Sequence, residues 1–192
     1  MKIYFLRHTS LNIDNDVFYG QSDIDVSENF LTEVKLIKNK IKYEDIQIKK
    51  IIMISSPLKR CRKLAKQIRS KFILDSRLKE LNLGDWEMKP MDSIPKKMIK
   101  AWEDNIMSFS IPNGESNKIF LNRLKSFLKD ILSFNQDVLL VAHAGSINGM
   151  ISILTGQPFD KLVKNYWEKI SYGSLTCISI EGKIKKLNYI GK

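Results

Sequence analysis

Short apolar runs that stop abruptly at a polar break constrain this chain more than any other feature. Ile3-Tyr4-Phe5-Leu6 ends at Arg7-His8, and Ile51-Ile52-Met53-Ile54 ends at Ser55-Ser56-Pro57. The most apolar run, Val138-Leu139-Leu140-Val141-Ala142, ends at His143-Ala144-Gly145-Ser146. Runs of this length, rich in β-type residues and lacking polar alternation, read as strands buried on both faces. Strands of that kind belong to parallel sheets covered by helices on each side.

The intervening segments carry the helical period. A helix is predicted from about Ser27 to Lys42, with Phe30, Leu31, Val34, Ile37 and Ile41 as its stripe. A second runs from Pro57 to about Lys71, with Ser56 suited to the N-cap and Pro57 to the first helical position. A third opens at Gly114-Glu115-Ser116 and reaches about Leu132, and a fourth spans Ser146 to Leu154 before Gly156 and Pro158. Phe72 to Leu74 is a further strand candidate, and Gly173–Ile180 and Lys183–Ile190 pair through a turn at Glu181-Gly182. Asp85 to Pro112 is the least legible region, with a helix around Ile94 to Met107. The fold class is therefore α/β, a mostly parallel central sheet flanked by helices on both faces. With no repeat or linker, residues 1–192 are read as one domain.

In such sheets, ligands bind beyond the carboxyl ends of the strands. Both histidines of the chain, His8 and His143, stand at those ends, with Arg7 beside the first. Arg60 falls in the first turn of the second helix, off its apolar stripe and close to the loop. A helix N-terminus beside an arginine fork suits a phosphate oxyanion. Ala144-Gly145-Ser146 lets backbone N–H groups approach an anion in the same way. Imidazole attacks phosphorus readily, while arginines and a second imidazole stabilise charge on the phosphoryl oxygens. A proton donor for the leaving oxygen is still needed. Glu80, Asp85 and Glu87 are candidates that position alone does not separate.

Composition narrows the partners. The net charge of +11 comes mostly from lysines, since six of the 32 basic residues are arginine. They are dispersed and lack interleaved aromatics, a pattern of a solvated surface rather than a nucleic-acid-binding face. No apolar stretch approaches the length of a membrane span, and Arg7 interrupts the N-terminal run too early for a signal-peptide core. The cytoplasm is the expected compartment. Cys61 and Cys177 lie far apart, with no ligand spacing for a metal, so neither a metal nor another cofactor is expected.

Six segments in order resemble the histidine phosphatase superfamily, the phosphoglycerate-mutase-like fold. They are Leu6-Arg7-His8, Gly20-x-x-Asp23, Ser55-Ser56-Pro57-Leu58-Lys59-Arg60, Glu80-x-x-x-Gly84-x-Trp86-Glu87, Gly114-Glu115-Ser116 and Val141-Ala142-His143-Ala144-Gly145. The resemblance implies that His8 becomes phosphohistidine, that Arg7, Arg60 and His143 form the phosphate pocket, and that Glu80 is general acid and base. Thr9 after His8, together with Tyr19-Gly20-Gln21-Ser22-Asp23 and Phe30, is most similar to the α-ribazole phosphatase branch. Thr9, Gly20, Gln21, Trp86 and Ala144 join Arg7, Arg60 and His143 as expected substrate contacts. The sequence departs from the commoner branch at Leu11, Asp14, Lys63-Leu64 and Met88.

The expected activity is a phosphomonoesterase for α-ribazole 5'-phosphate, acting in cobalamin nucleotide-loop assembly. The alternatives are a sugar-phosphate or broad-specificity phosphatase of the same fold, and a non-enzymatic polyanion-binding domain. The expected partner is a small phosphomonoester, not nucleic acid or membrane, and the sequence leaves a homodimer open.

Overall fold

The structure, a computed structural model, describes residues 1–14, 16–166 and 169–192. Six strands form one sheet: β1 (Lys2–Arg7), β2 (Ile52–Ser55), β3 (Ile73–Leu74), β4 (Val138–Ala142), β5 (Leu175–Glu181) and β6 (Ile184–Tyr189). Their order is β3-β2-β4-β1-β5-β6. The β3–β2, β2–β4 and β4–β1 pairs are parallel, while β5 and β6 close one edge antiparallel. The mostly parallel sheet is the one expected from the sequence.

Six helices are described: α1 (Phe30–Tyr43), α2 (Lys59–Ile68), α3 (Lys96–Asp104), α4 (Asn117–Leu132), α5 (Ala144–Thr155) and α6 (Phe159–Tyr166). Strand alternation divides the core. Ile3, Phe5, Val138 and Leu140 face α4, α5 and α6, whereas Tyr4, Leu6, Leu139 and Val141 face α1 and α2. Every residue of β4 is wholly buried, each large side chain adding about 1.5–3 kcal/mol through removal from water. No helix among the described residues is long and apolar enough to cross a membrane.

Several helix boundaries differ from those predicted, because the candidate caps have other partners. Ser27 hydrogen-bonds to Ser10 through its hydroxyl, and α1 starts at Phe30. The Ser56 hydroxyl lies 2.8 Å from His143 Nε2, and α2 starts at Lys59 rather than Pro57. Its first N–H is taken by the Asp23 carboxylate at 2.6 Å, a cap delivered from the first loop. The α2 helix also ends at Ile68 rather than Lys71. Helix α6 was not foreseen, and α3 is shorter than the segment predicted.

The region 85–112 packs as a satellite. Trp86, Ile94 and Ile111 are buried together under Phe18, Trp102 and Phe109. Trp86, expected among the substrate contacts, is 2% exposed and surrounded by these rings. The structure gives it a packing place in this small core.

Candidate active site

Strand β1 runs beside β4 with Arg7 opposite Ala142, so the residues that follow, His8 and His143, leave the sheet side by side. Their rings lie 5.2 Å apart, edge to face. Both are 1% exposed. Burial, then the nearby Arg60 guanidinium, holds each imidazole well below the usual histidine range, and Arg7 adds to this at both. Near neutral pH both rings are uncharged.

Hydrogen bonding then selects the tautomers. His8 Nδ1 lies 2.7 Å from the Thr9 carbonyl, which only accepts, so Nδ1 carries the proton and Nε2 the lone pair. His143 Nδ1 accepts from Arg60 Nε at 3.2 Å, which places the proton of the neutral ring on Nε2, directed to Ser56 Oγ. His8 thus offers a lone pair suited to attack on phosphorus, while the His143 ring is held by Ser56 on one nitrogen and fixes Arg60 through the other.

Arg60 is wholly buried. Beyond His143, its fork donates to the Ser22 carbonyl at 2.8 Å and the Gly20 carbonyl at 2.6 Å. Much of its donor capacity therefore organises the 20–22 loop and sets the His143 tautomer, with N–H groups remaining for an anion. Arg7 donates from Nη1 to the Ile170 carbonyl at 2.7 Å. Its Nε and the Thr9 hydroxyl are buried without a hydrogen-bond partner. Unmet buried donors beside two imidazoles are costly, and an incoming oxyanion would satisfy them.

Of the three carboxylates left open by position, the structure separates two from the third. Glu87 accepts N–H groups from Gly20, Gln21, Ser22 and Leu83 and the Ser22 hydroxyl. Burial opposes its charge, but these bonds prevail and keep it below its usual range, an ionised clamp on the loop. Asp85 accepts from Asn113 at an exposed position. Glu80 instead points to the start of α5, accepting from Gly145 N–H at 2.8 Å and Leu81 N–H at 2.9 Å. Gly145 leaves room for this contact, because a Cβ would come within 2.4 Å of Glu80 Oε1 and the carboxylate would have to shift.

Gly20 is required for a similar reason, since a Cβ would meet the Leu81 carbonyl at 1.9 Å. The Gln21 side chain donates to the Glu80 carbonyl at 3.0 Å, and Ala144 is buried in the first turn of α5. Sequence reasoning missed Arg123 and Glu115. They form a two-point ion pair, while Arg123 also donates to the Arg77, Lys79 and Glu80 carbonyls. Glu115 accepts the Asn82 N–H in turn. This pair holds the segment that presents Glu80. The signal was present in Gly114-Glu115-Ser116, followed eight residues after Glu115 by an arginine among many lysines.

Comparisons with known proteins agree on the family and differ in the activities the relatives are named for. The sequence model described as "Histidine phosphatase superfamily (branch 1)" matches residues 3–191. The chain is 28% identical over its whole length to "Putative phosphoserine phosphatase 2" of Hydrogenobacter thermophilus, covering 95% of that protein. It is 29% identical over 82% of its length to "Probable phosphoglycerate mutase GpmB" of Erwinia tasmaniensis, covering 76% of it. In three dimensions it superposes on the alpha-ribazole phosphatase from Shigella flexneri with a TM-score of 0.86 at 20% identity, covering 100% of this chain and 96% of the other.

Proposed function

Because the chain belongs to the histidine phosphatase superfamily, and is a phosphatase, we propose that it hydrolyses α-ribazole 5'-phosphate through a phosphohistidine on His8. The observation that carries the chemical step is the neutral His8 ring, with Nδ1–H tied to the Thr9 carbonyl and its Nε2 lone pair free to attack beside His143 and two arginines.

The phosphoryl group sits between Arg7 and Arg60, which share the charge on its oxygens, beside the His143 ring that accepts from Arg60 Nε. His8 Nε2 attacks phosphorus and the bond to the ester oxygen breaks. Glu80, held at the N-terminus of α5, gives that oxygen a proton so that it leaves as an alcohol. A water then loses its proton to Glu80 and attacks phosphorus, releasing inorganic phosphate and restoring both residues. No step calls on a metal or another cofactor.

The α-ribazole assignment is supported by Thr9 after His8, by the Tyr19-Gly20-Gln21-Ser22-Asp23 segment and by the superposition on a phosphatase of that name. O-phosphoserine is the second reading, favoured by the relative that matches the whole chain. A panel of α-ribazole 5'-phosphate, O-phosphoserine, sugar phosphates and 3-phosphoglycerate decides between them. The reading expects the highest kcat/KM on α-ribazole 5'-phosphate, and a preference for phosphoserine overturns that assignment. Rapid acid and base quenches test the intermediate. They should trap an acid-labile, base-stable phosphoenzyme in the wild type and none in His8→Ala.

A further inference from the structure

His8, Arg60 and His143 are each no more than 1% exposed, so an ester reaches His8 only after something over the site moves. Two phenols stand there. The Tyr172 ring lies 5.5 Å from the His8 ring and 4.0 Å from the Arg7 guanidinium carbon. The Tyr19 ring lies 5.6 Å from that of Arg60. Their hydroxyls meet in a 2.7 Å hydrogen bond at the surface. Each is tied to the site through its neighbour: Gly20 accepts from Arg60, and Gly173 donates to the His8 carbonyl.

The two rings lie against the two guanidiniums that would hold a phosphate, so an ester group leaving on that side would pass between them. Tyr172 also lines a groove of about 740 Å³ with Leu36, Ile37, Lys40 and Tyr43, open space beside a ring that is 37% exposed. We infer that Tyr19 and Tyr172 are specificity-determining residues of this phosphatase, a gate whose hydroxyl–hydroxyl bond breaks on substrate entry and whose rings then flank the leaving group. Such a gate favours esters of a planar ring over small acyclic ones. This rests on the phosphatase reading but not on which ester is the natural substrate.

One neutral hydrogen bond shifts a two-state equilibrium by about 2- to 10-fold, and apparent affinity falls with the closed fraction. An offset ring contact is worth a similar factor. The test uses Tyr19→Phe, Tyr172→Phe, the double variant and Tyr172→Leu. Inhibition by inorganic phosphate is measured along with kcat/KM for p-nitrophenyl phosphate and O-phosphoserine. Each Phe variant should bind phosphate about 2- to 10-fold more tightly, and the double variant no more tightly than either single, because all three lose the same bond. Tyr172→Leu should lower the p-nitrophenyl phosphate to phosphoserine ratio by about 2- to 10-fold.

Unchanged or weaker phosphate binding in the Phe variants refutes the gate, as does additivity in the double variant. An unchanged ratio in Tyr172→Leu refutes selection by the ring. Should the wild type hydrolyse neither of these esters nor α-ribazole 5'-phosphate, the phosphatase reading fails on its own, while phosphate affinity across the variants still tests the gate.

Discussion

Gly145→Ala tests the proton-transfer role proposed for Glu80 separately from its structural surroundings. Gly145 is the second residue of α5, in helical backbone where alanine is favoured by about 0.5–1 kcal/mol. The added Cβ would stand 2.4 Å from Glu80 Oε1 and 3.0 Å from its Cδ, so the carboxylate must retreat by about 1 Å to reach ordinary contact. Retreat weakens the Gly145 N–H bond to Glu80, worth about 0.5–1.5 kcal/mol. Offset by the gain in helix propensity, the net change in stability is within about 1 kcal/mol, and the protein stays folded. A misplacement of about 1 Å, by contrast, costs on the order of 10²-fold in rate. The loss depends on the leaving group, since an alkoxide needs the proton and a nitrophenolate does not. Single-turnover formation of the phosphoenzyme should therefore slow about 10²-fold with a sugar phosphate and less than about tenfold with p-nitrophenyl phosphate. Measuring this step alone avoids the later hydrolysis, in which the proposed role of Glu80 is the same for both substrates. Equal slowing on the two esters, or an unchanged rate with the sugar phosphate, would refute the assignment of proton transfer to Glu80.

Stability should fall with acid in a window set by the two histidines. Their folded pKa values lie below the unfolded value near 6.5, so the unfolded chain binds more protons and stability is lost as pH falls from about 6.5 towards the folded values. Denaturant unfolding at pH 7.5 and 5.5 should differ by up to about 2–3 kcal/mol, roughly halved in His8→Ala; a pH-independent midpoint would contradict neutral burial. Glu87→Gln keeps the shape but replaces a charged acceptor with one that has a single oxygen. Loss of several bonds to the 20–22 loop should cost about 2–4 kcal/mol by denaturant titration and weaken phosphate inhibition, because the same loop supplies the carbonyls that hold Arg60. Arg60→Lys retains the charge but not the fork that joins Ser22, Gly20 and His143. A fall in kcat/KM of at least about 10²-fold is expected, and near-normal kinetics would show that charge alone matters there.

The sequence by itself determined the strands, their burial and the ends at which chemistry gathers. Uninterrupted apolar runs such as Val138–Ala142 are stable only between two covering layers, and a residue such as His143 at the first polar break lies where the sheet opens. Local signals also located α4 after Gly114-Glu115-Ser116, where the structure makes Ser116 the cap, and the hairpin turn at Gly182, which adopts a left-handed φ of 59°. Only the tertiary structure decided how polar groups are shared among segments distant in the chain. Ser56 reads locally as a helix cap but faces His143, and Asp23 caps α2 in its place. Glu80, Asp85 and Glu87 are indistinguishable by position, and Glu80 is the one that meets the α5 N-terminus at Gly145. Trp86 looks from its motif like a contact residue and is buried by Phe18, Trp102 and Phe109. Apolar periodicity survives in sequence because burial repeats along each element. A hydrogen bond between residues 65 or 87 positions apart leaves no such local trace, and its partner is chosen when the sheet brings the strand ends together.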